Sequence, residues 1–343
     1  MAATALTLGA CGGGTPAGSA PPHRHVHVQP EVTFALPPTT AGCAGVTALA
    51  GGAERVPITV STVAGQVEEA ANVCIAGQGP FPFVIDSGAG ESIIDARLAT
   101  RLALPDAGQA SEFDGVGCTG RAQPVSVGSW SVAGLSLAPQ TLTAATLPDF
   151  GTPGQPVGLL GSDVLSRFGA VRLDFVAQTL TLGAPQRPAV TGTKVVHGPV
   201  GPPPSAVLTE GETGTTVPLS VVLTPGLTAL NVSVRIKGSP ARTFVVDTGS
   251  SQSVVGRAVS SAGHLAPTDQ AQRQTTVCST ITVPLVHSGR WSLRGVSLHP
   301  QLLGVASFGV IGAGGTSGLL GSDQLKRFGW VIFDYLGGRL VLG

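Results

Sequence analysis

The chain carries one plan twice. Phe83-Val84-Ile85-Asp86-Ser87-Gly88-Ala89 in the first half is answered by Phe244-Val245-Val246-Asp247-Thr248-Gly249-Ser250 in the second. Each aspartate ends an apolar run that reads as a buried strand, and a small hydroxyl residue and a glycine follow. A second shared signature begins 72 and 71 residues further on. It is Gly158-Leu159-Leu160-Gly161-Ser162-Asp163, running to Arg167-Phe168-Gly169, and Gly318-Leu319-Leu320-Gly321-Ser322-Asp323, running to Arg327-Phe328-Gly329. Over eighteen residues from Gly158 and from Gly318, twelve are identical. Such a repeat predicts two copies of one unit related by a pseudo-twofold axis. That axis brings like carboxylate to like carboxylate, a pairing that points to acid–base hydrolysis.

A chain of 343 residues suits two domains or one bilobal domain, and each repeat, at about 125 residues, can bury its own core. Charged residues are 11% and the formal net charge is zero, so no basic surface for nucleic acid is expected. No apolar run reaches the roughly 18 residues of a membrane span. Lys, Glu and Met are scarce, while Gly, Val, Thr, Ser and Pro abound. The expectation is therefore an all-β fold of short strands, in two pseudo-symmetric lobes around a central cleft. The chain divides into a tail at 1–55, a first lobe at 56–183, a Pro-rich linker at 184–216 and a second lobe at 217–343. The linker should run extended over the surface. Early strands are expected over 56–60 and 217–223. Ile93, Ile94, Leu98, Leu102 and Leu104 permit a short helix within 91–104. Ser162 and Ser322 are candidate N-caps of short helices through Leu165 and Leu325. Each repeat closes on a hairpin, the second turning at Gly337-Gly338. Asp163, Asp323, Asp174 and Asp334 recur and read as capping or hairpin-bracing groups, and Trp130 and Trp291 as core.

In the tail, Leu8-Gly9-Ala10-Cys11 resembles a bacterial lipobox, which would make Cys11 a lipid anchor. Gly12-Gly13-Gly14 and a Pro/Ala/Ser stretch would be its tether. No basic segment precedes it, and the competing reading is an ordinary disordered tail. His23, His25 and His27 alternate and could bind a transition metal, but in a Pro-rich tail a solvated segment is the plainer reading. With Cys11 lipidated, Cys43, Cys74, Cys118 and Cys278 remain, which suits two disulfides in an exported protein with three connectivities open. Cys118 lies 32 residues after Asp86 and Cys278 lies 31 after Asp247. As repeat equivalents they would bridge the lobes, or each would pair elsewhere.

The two Asp-Ser/Thr-Gly triplets, each followed in register by Leu-Leu-Gly, resemble the aspartic proteases, pepsin-like and retropepsin-like. Single chains with two retropepsin-like lobes are the nearest comparison. The resemblance implies a bilobal acid-protease fold with Asp86 and Asp247 as a catalytic dyad. It implies that Gly88 and Gly249 let the aspartate loops meet, and that Ser87 and Thr248 hydrogen-bond across the interface. No cofactor, metal or covalent intermediate is required. The substrate would be an extended polypeptide, the protein a monomer, secreted or lipid-anchored. Flaps are expected over 114–121 and 274–282. Ser250 offers a hydroxyl that Ala89 lacks, so Asp247 is expected to be the more readily ionised, with a working pH between strongly acidic and neutral. Retropepsins commonly carry arginine where Ser162 and Ser322 stand, and the only tyrosine, Tyr335, is not in a flap. The alternative is a non-catalytic cell-surface peptide-binding or scaffold protein that kept the fold. A third reading is a processing enzyme with one private substrate.

Overall fold

The computed structural model describes residues 27–29, 42–148, 155–184, 193–209, 211–224, 227–236, 238–308 and 315–343. Each repeat forms one sheet, and the strand order is the same in both. In the first lobe it runs Leu135–Leu137, Trp130–Val132, Gln66–Ile75, Gln78–Asp86, Gly158–Gly161, Ile93–Asp95, Gln140–Ala145, Cys118–Val127, Ser111–Gly115. In the second it runs Val296–Leu298, Trp291–Leu293, Leu227–Ile236, Arg242–Asp247, Gly318–Gly321, Val254–Gly256, Leu302–Ala306, Thr280–His287, Ala266–Thr275. The helix expected within 91–104 is Ala96–Arg101, entered from the Ile93–Asp95 strand and capped by the Asp95 side chain.

Alternation along the aspartate strands sets which way each side chain faces. Phe83, Ile85, Phe244 and Val246 point into the main core, all fully buried. Val84 and Asp86, like Val245 and Asp247, therefore share the opposite face. The Leu-Leu-Gly strand lies parallel beside each, Gly158 against Phe83 and Gly161 against Asp86, then Gly318 against Phe244 and Gly321 against Asp247. A Cβ at Gly158 would strike the Phe83 ring, and one at Gly318 the Phe244 ring. Glycine recurs here because an aromatic ring lies flat over the backbone.

A third, seven-stranded sheet joins the lobes. Ala170–Asp174 pairs antiparallel with Trp330–Asp334, and Arg172 faces Ile332 at the centre of the register. Thr179–Leu182 and Glu54–Pro57 extend the sheet on one side, Arg339–Leu342 and Thr215–Pro218 on the other. Asp174 accepts from the Val176 and Ala177 N–H groups, and Asp334 from the Gly337 N–H, so both brace their hairpins as expected. Trp130 and Trp291 are buried, each donating its indole N–H to a carbonyl, of Ala138 and of His299.

Three expectations need correction. Residues 42–55, read as tail, belong to the first lobe: Cys43 is bonded to Cys74, and Thr47–Ala48 pairs with Glu54–Pro57. His27–Gln29 lies parallel on the edge of Ala266–Thr275 and pairs with Gln270–Gln272; His23, His25 and the lipobox at Cys11 lie outside the described residues. The linker is only partly a surface connection, because Lys194–His197 pairs with Ser220–Thr224 and the carbonyls of Val200 and Pro202 accept from Arg339. Its β-branched Val195 and Val196 supply strand propensity that the surrounding prolines obscured.

Gly318→Ala should destabilise the protein by about 1–3 kcal/mol, the usual range for overpacking a filled core. Urea denaturation of the variant against wild type measures it, and an unchanged midpoint would show that the Phe244 ring yields freely.

Candidate active site

The two triplets meet where the lobes touch. Ser87 N–H donates to Thr248 Oγ1 at 2.9 Å, and Thr248 N–H donates to Ser87 Oγ at 3.1 Å. Each hydroxyl then gives its proton to the carbonyl before the opposite aspartate: Thr248 Oγ1 to Ile85 O at 2.6 Å, Ser87 Oγ to Val246 O at 2.9 Å. All four groups are buried, so each bond is made against the full penalty of leaving a polar group dry. The crossing fixes both aspartate loops at once. Gly88 then lies against the Asp247 carboxyl and Gly249 against the Asp86 carboxyl, so close that a Cβ on either would collide with the acid.

Asp86 accepts from the N–H groups of Gly88 (2.9 Å) and Ala89 (2.8 Å), and Asp247 from that of Ser250 (3.1 Å). Burial raises both carboxyls above the ordinary aspartate range; Asp247 is raised further by the charge of Asp86, and Asp86 is held lower by the bonds it accepts. The two acids therefore titrate as a pair that shares one proton, and the two N–H bonds Asp86 accepts favour the charge on that side. The sequence-based expectation rested on the Ser250 hydroxyl. The Ser250 hydroxyl does not touch Asp247; it donates to Gln252 O at 2.7 Å, and only its backbone N–H serves the acid. The better-supplied carboxylate is Asp86, beside Ala89.

Ser162 and Ser322 are not N-caps. Gly161 and Gly321 hold the cap positions and make no side-chain cap bond, and the serines are the first helical residues. Their hydroxyls turn back to the triplets: Ser162 Oγ donates to Ser87 O at 2.9 Å, and Ser322 Oγ to Thr248 O at 3.2 Å. A hydroxyl has one proton to give, so Ser162 accepts from its second neighbour. That is the phenol of Tyr335, 2.9 Å away. Ser322 Oγ also reaches Glu69 Oε2 as a donor at 2.9 Å, shorter than its contact with Thr248 O, so the carboxyl and the carbonyl share its one proton. Ser92 and Ser253 complete the support, accepting from Gly161 N–H and Gly321 N–H and donating to Asp163 and Asp323. Burial pushes Asp163 up and Asp323 to about 6.

Glu69 had no part in the sequence reading, yet it is wholly buried. Burial pushes its carboxyl up to about 8, against a smaller lowering by the Ser322 bond; Glu68 raises it and Lys326 lowers it. Its Oε1 has no partner among the described residues, which an ionised carboxylate would tolerate poorly. A signal for it existed. Val67, Ala71 and Val73 alternate into the core with Glu69 on the same face of the strand. The remaining expected feature, the flaps, is where the sequence placed it: Ser111–Gly115 with Cys118–Val127, and Ala266–Thr275 with Thr280–His287. Of the three open connectivities, Cys43–Cys74 and Cys118–Cys278 are formed.

Two lobes of identical strand order, meeting at paired Asp-Ser/Thr-Gly loops beneath two hairpins, define the pepsin-like acid-protease fold. The sequence profile of the aspartyl protease family matches residues 71–164 and again 232–324, more than half the chain, and the protein belongs to that family. Among solved structures it is similar to the aspartic proteinase from Irpex lacteus, at 13% identity over 85% of this chain and 97% of that one, with a TM-score of 0.44. It is also similar to basic 7S globulin from soybean, at 12% identity over 85% and 94%, with a TM-score of 0.43. No curated protein matches the chain.

Glu69 makes a stability prediction with a definite sign. Its folded value lies above its ordinary value of 4.5, so the folded state holds the proton longer. The stability it contributes is complete below about 4.5 and is lost as pH rises through about 8. Glu69→Gln should match wild type near pH 4.5 and exceed it by a few kcal/mol above pH 8. Unfolding free energies across this range test it; parallel curves for the two proteins would show that Glu69 is not held neutral.

Proposed function

We propose that the protein is an aspartic endopeptidase, with Asp86 and Asp247 as its catalytic pair. The observation that carries this reading is the reciprocal packing of each triplet glycine against the other triplet's carboxyl, which holds two acids together at one proton. The charged Asp86 takes a proton from a bridging water as the water oxygen bonds to the peptide carbonyl carbon. Asp247 gives its proton to the carbonyl oxygen. As the tetrahedral species collapses, the C–N bond breaks, Asp86 passes its proton to the leaving amine and Asp247 recovers one from the hydroxyl. Ser87, Gly88, Thr248, Gly249 and the Ser250 N–H position the acids without touching the substrate. An extended polypeptide fits beneath the flaps, with strand-like pairing for affinity and apolar pockets for preference.

The protein works outside the cytoplasm in this reading, as a monomer, because two disulfides suit an oxidising compartment. Among the described residues no helix is long and apolar enough to cross a membrane. The second reading is a cell-surface peptide-binding or scaffold protein that retained the fold; the packing of the flap-tip residues Val116 and Val277 against hydrophobic clusters of the two lobes favours it.

Cleavage of a denatured protein mixture from acidic to neutral pH, read by mass spectrometry, separates them. Wild type should cut, and Asp86→Asn and Asp247→Asn should each lower the rate on the order of 10²–10⁴-fold at the same sites. With both acids raised, the active range should sit above the strongly acidic range of an ordinary aspartate pair. A folded wild type that binds peptides and cuts nothing would establish the binding protein.

A further inference from the structure

The two flaps are joined to each other. The first turns at Val116-Gly117, where Gly117 has φ +72°, and the second turns through residues 276–279. Cys118 and Cys278 are bonded across the gap between the hairpins, with Cα atoms 6.0 Å apart. The tips also interlock. Val116 packs on the second lobe's cluster of Val245, Val254, Val283 and Leu319, and Val277 on the first lobe's cluster of Ile93, Ala122, Ala145 and Leu147. A Cβ on Gly115 would meet the Val277 side chain at 2.7 Å.

These contacts place the tips over the paired acids. Val245 alternates with Phe244 and Val246, which fill the main core, so it lies on the face that carries Asp247. Ile93 pairs with Leu159, which stands in register beside Val84, on the face that carries Asp86. Each tip therefore crosses the midline onto the acid-bearing face of the other lobe. Below, the Ser87–Thr248 crossing and the strands Ala170–Asp174 and Trp330–Asp334 hold the lobes together. The cleft thus has a floor that joins both lobes and a roof whose two halves share a covalent bond.

Resting on the peptidase reading above, we propose that the Cys118–Cys278 bond makes the cleft a tunnel, so that a polypeptide enters by threading a free end. Untied flaps admit a chain sideways when their tips part. One extended strand needs a gap on the order of 5 Å, and two sulfurs held at about 2 Å do not open that far. With the bond intact the hairpins lift together as an arch. Lifting enlarges the tunnel and leaves its sides closed. The bond therefore selects substrates by topology: chains with an accessible end are cut, and chains without one are excluded.

The test uses a linear polypeptide with a mapped cut site and the same sequence joined head to tail. Wild type should cut the linear form and cut the cyclic form more than an order of magnitude more slowly. Cys118→Ser/Cys278→Ser should cut both at rates within a few-fold of each other. Cys43→Ser/Cys74→Ser, which leaves the roof tied, should keep the wild-type preference. The wild-type comparison needs no variant, so it stands even where a variant fails to fold. Equal cutting of both forms by wild type overturns the tunnel. Cutting of the linear form by the Cys118→Ser/Cys278→Ser variant alone also overturns it, because the bond would then shut the site altogether. Failure of both proteins on the linear form removes the peptidase reading itself, and the tunnel with it.

Discussion

The exchange of hydrogen bonds between Ser87 and Thr248 is the constraint on which the rest of this molecule depends. Two short polar residues, one from each repeat, satisfy each other's backbone N–H and then spend their own protons on carbonyls of the opposite strand. Neither loop can complete its bonding alone. The arrangement is buried, so water cannot substitute, and removing either hydroxyl would strand groups on both lobes. This turns two copies of a sheet into one site. Glycine at 88 and 249 follows from it, since the crossing brings each backbone against the other acid.

Around that symmetric centre the supports differ. Ser162 and Ser322 hold equivalent carbonyls, yet one is bonded to a tyrosine phenol and the other to a buried glutamic acid. Tyr335 comes from the second repeat to support the first lobe's loop, and Glu69 from the first repeat to support the second's. The matching positions in the other repeat, Phe175 and Leu230, are apolar and buried. Each repeat therefore lends the other lobe's loop a polar partner from beyond that loop's own repeat. The carboxylic acid gives the support of the Asp247 loop a dependence on pH, while burial pushes the phenol beside the Asp86 loop further from ionisation.

Much of this was legible before any coordinates. The duplicated triplets, the Leu-Leu-Gly elements and the even spacing between them pointed to two like lobes and to the paired acids, because alternation follows directly from such runs. What resisted reading was contact between distant residues. Ser162 looks like an N-cap because a serine before a short amphipathic stretch usually is one; its hydroxyl instead faces Ser87, 75 residues away. Ser250 is adjacent to the triplet, and its hydroxyl still prefers Gln252 O. Glu69 breaks the usual rule that acids face water, and only the alternation of Val67, Ala71 and Val73 marks it as internal. Cys43 sits in a stretch without strand periodicity, so nothing local linked it to Cys74. These misses share one cause: local sequence fixes which way a side chain faces, and the partner it meets depends on the whole fold.

The strand pair centred on Arg172 and Ile332 has a mechanical meaning as well. It lies at one end of the pseudo-twofold axis. The hydroxyl crossing lies midway, and the disulfide joins near-equivalent cysteines at the other end. Two bodies fastened at three points along one line cannot part like a clamshell. Apart from the lift of the tied hairpins, they keep one soft coordinate, a twist about the line itself. Motion in this molecule should therefore change the angle between its two lobes while the separation of its two acids stays fixed.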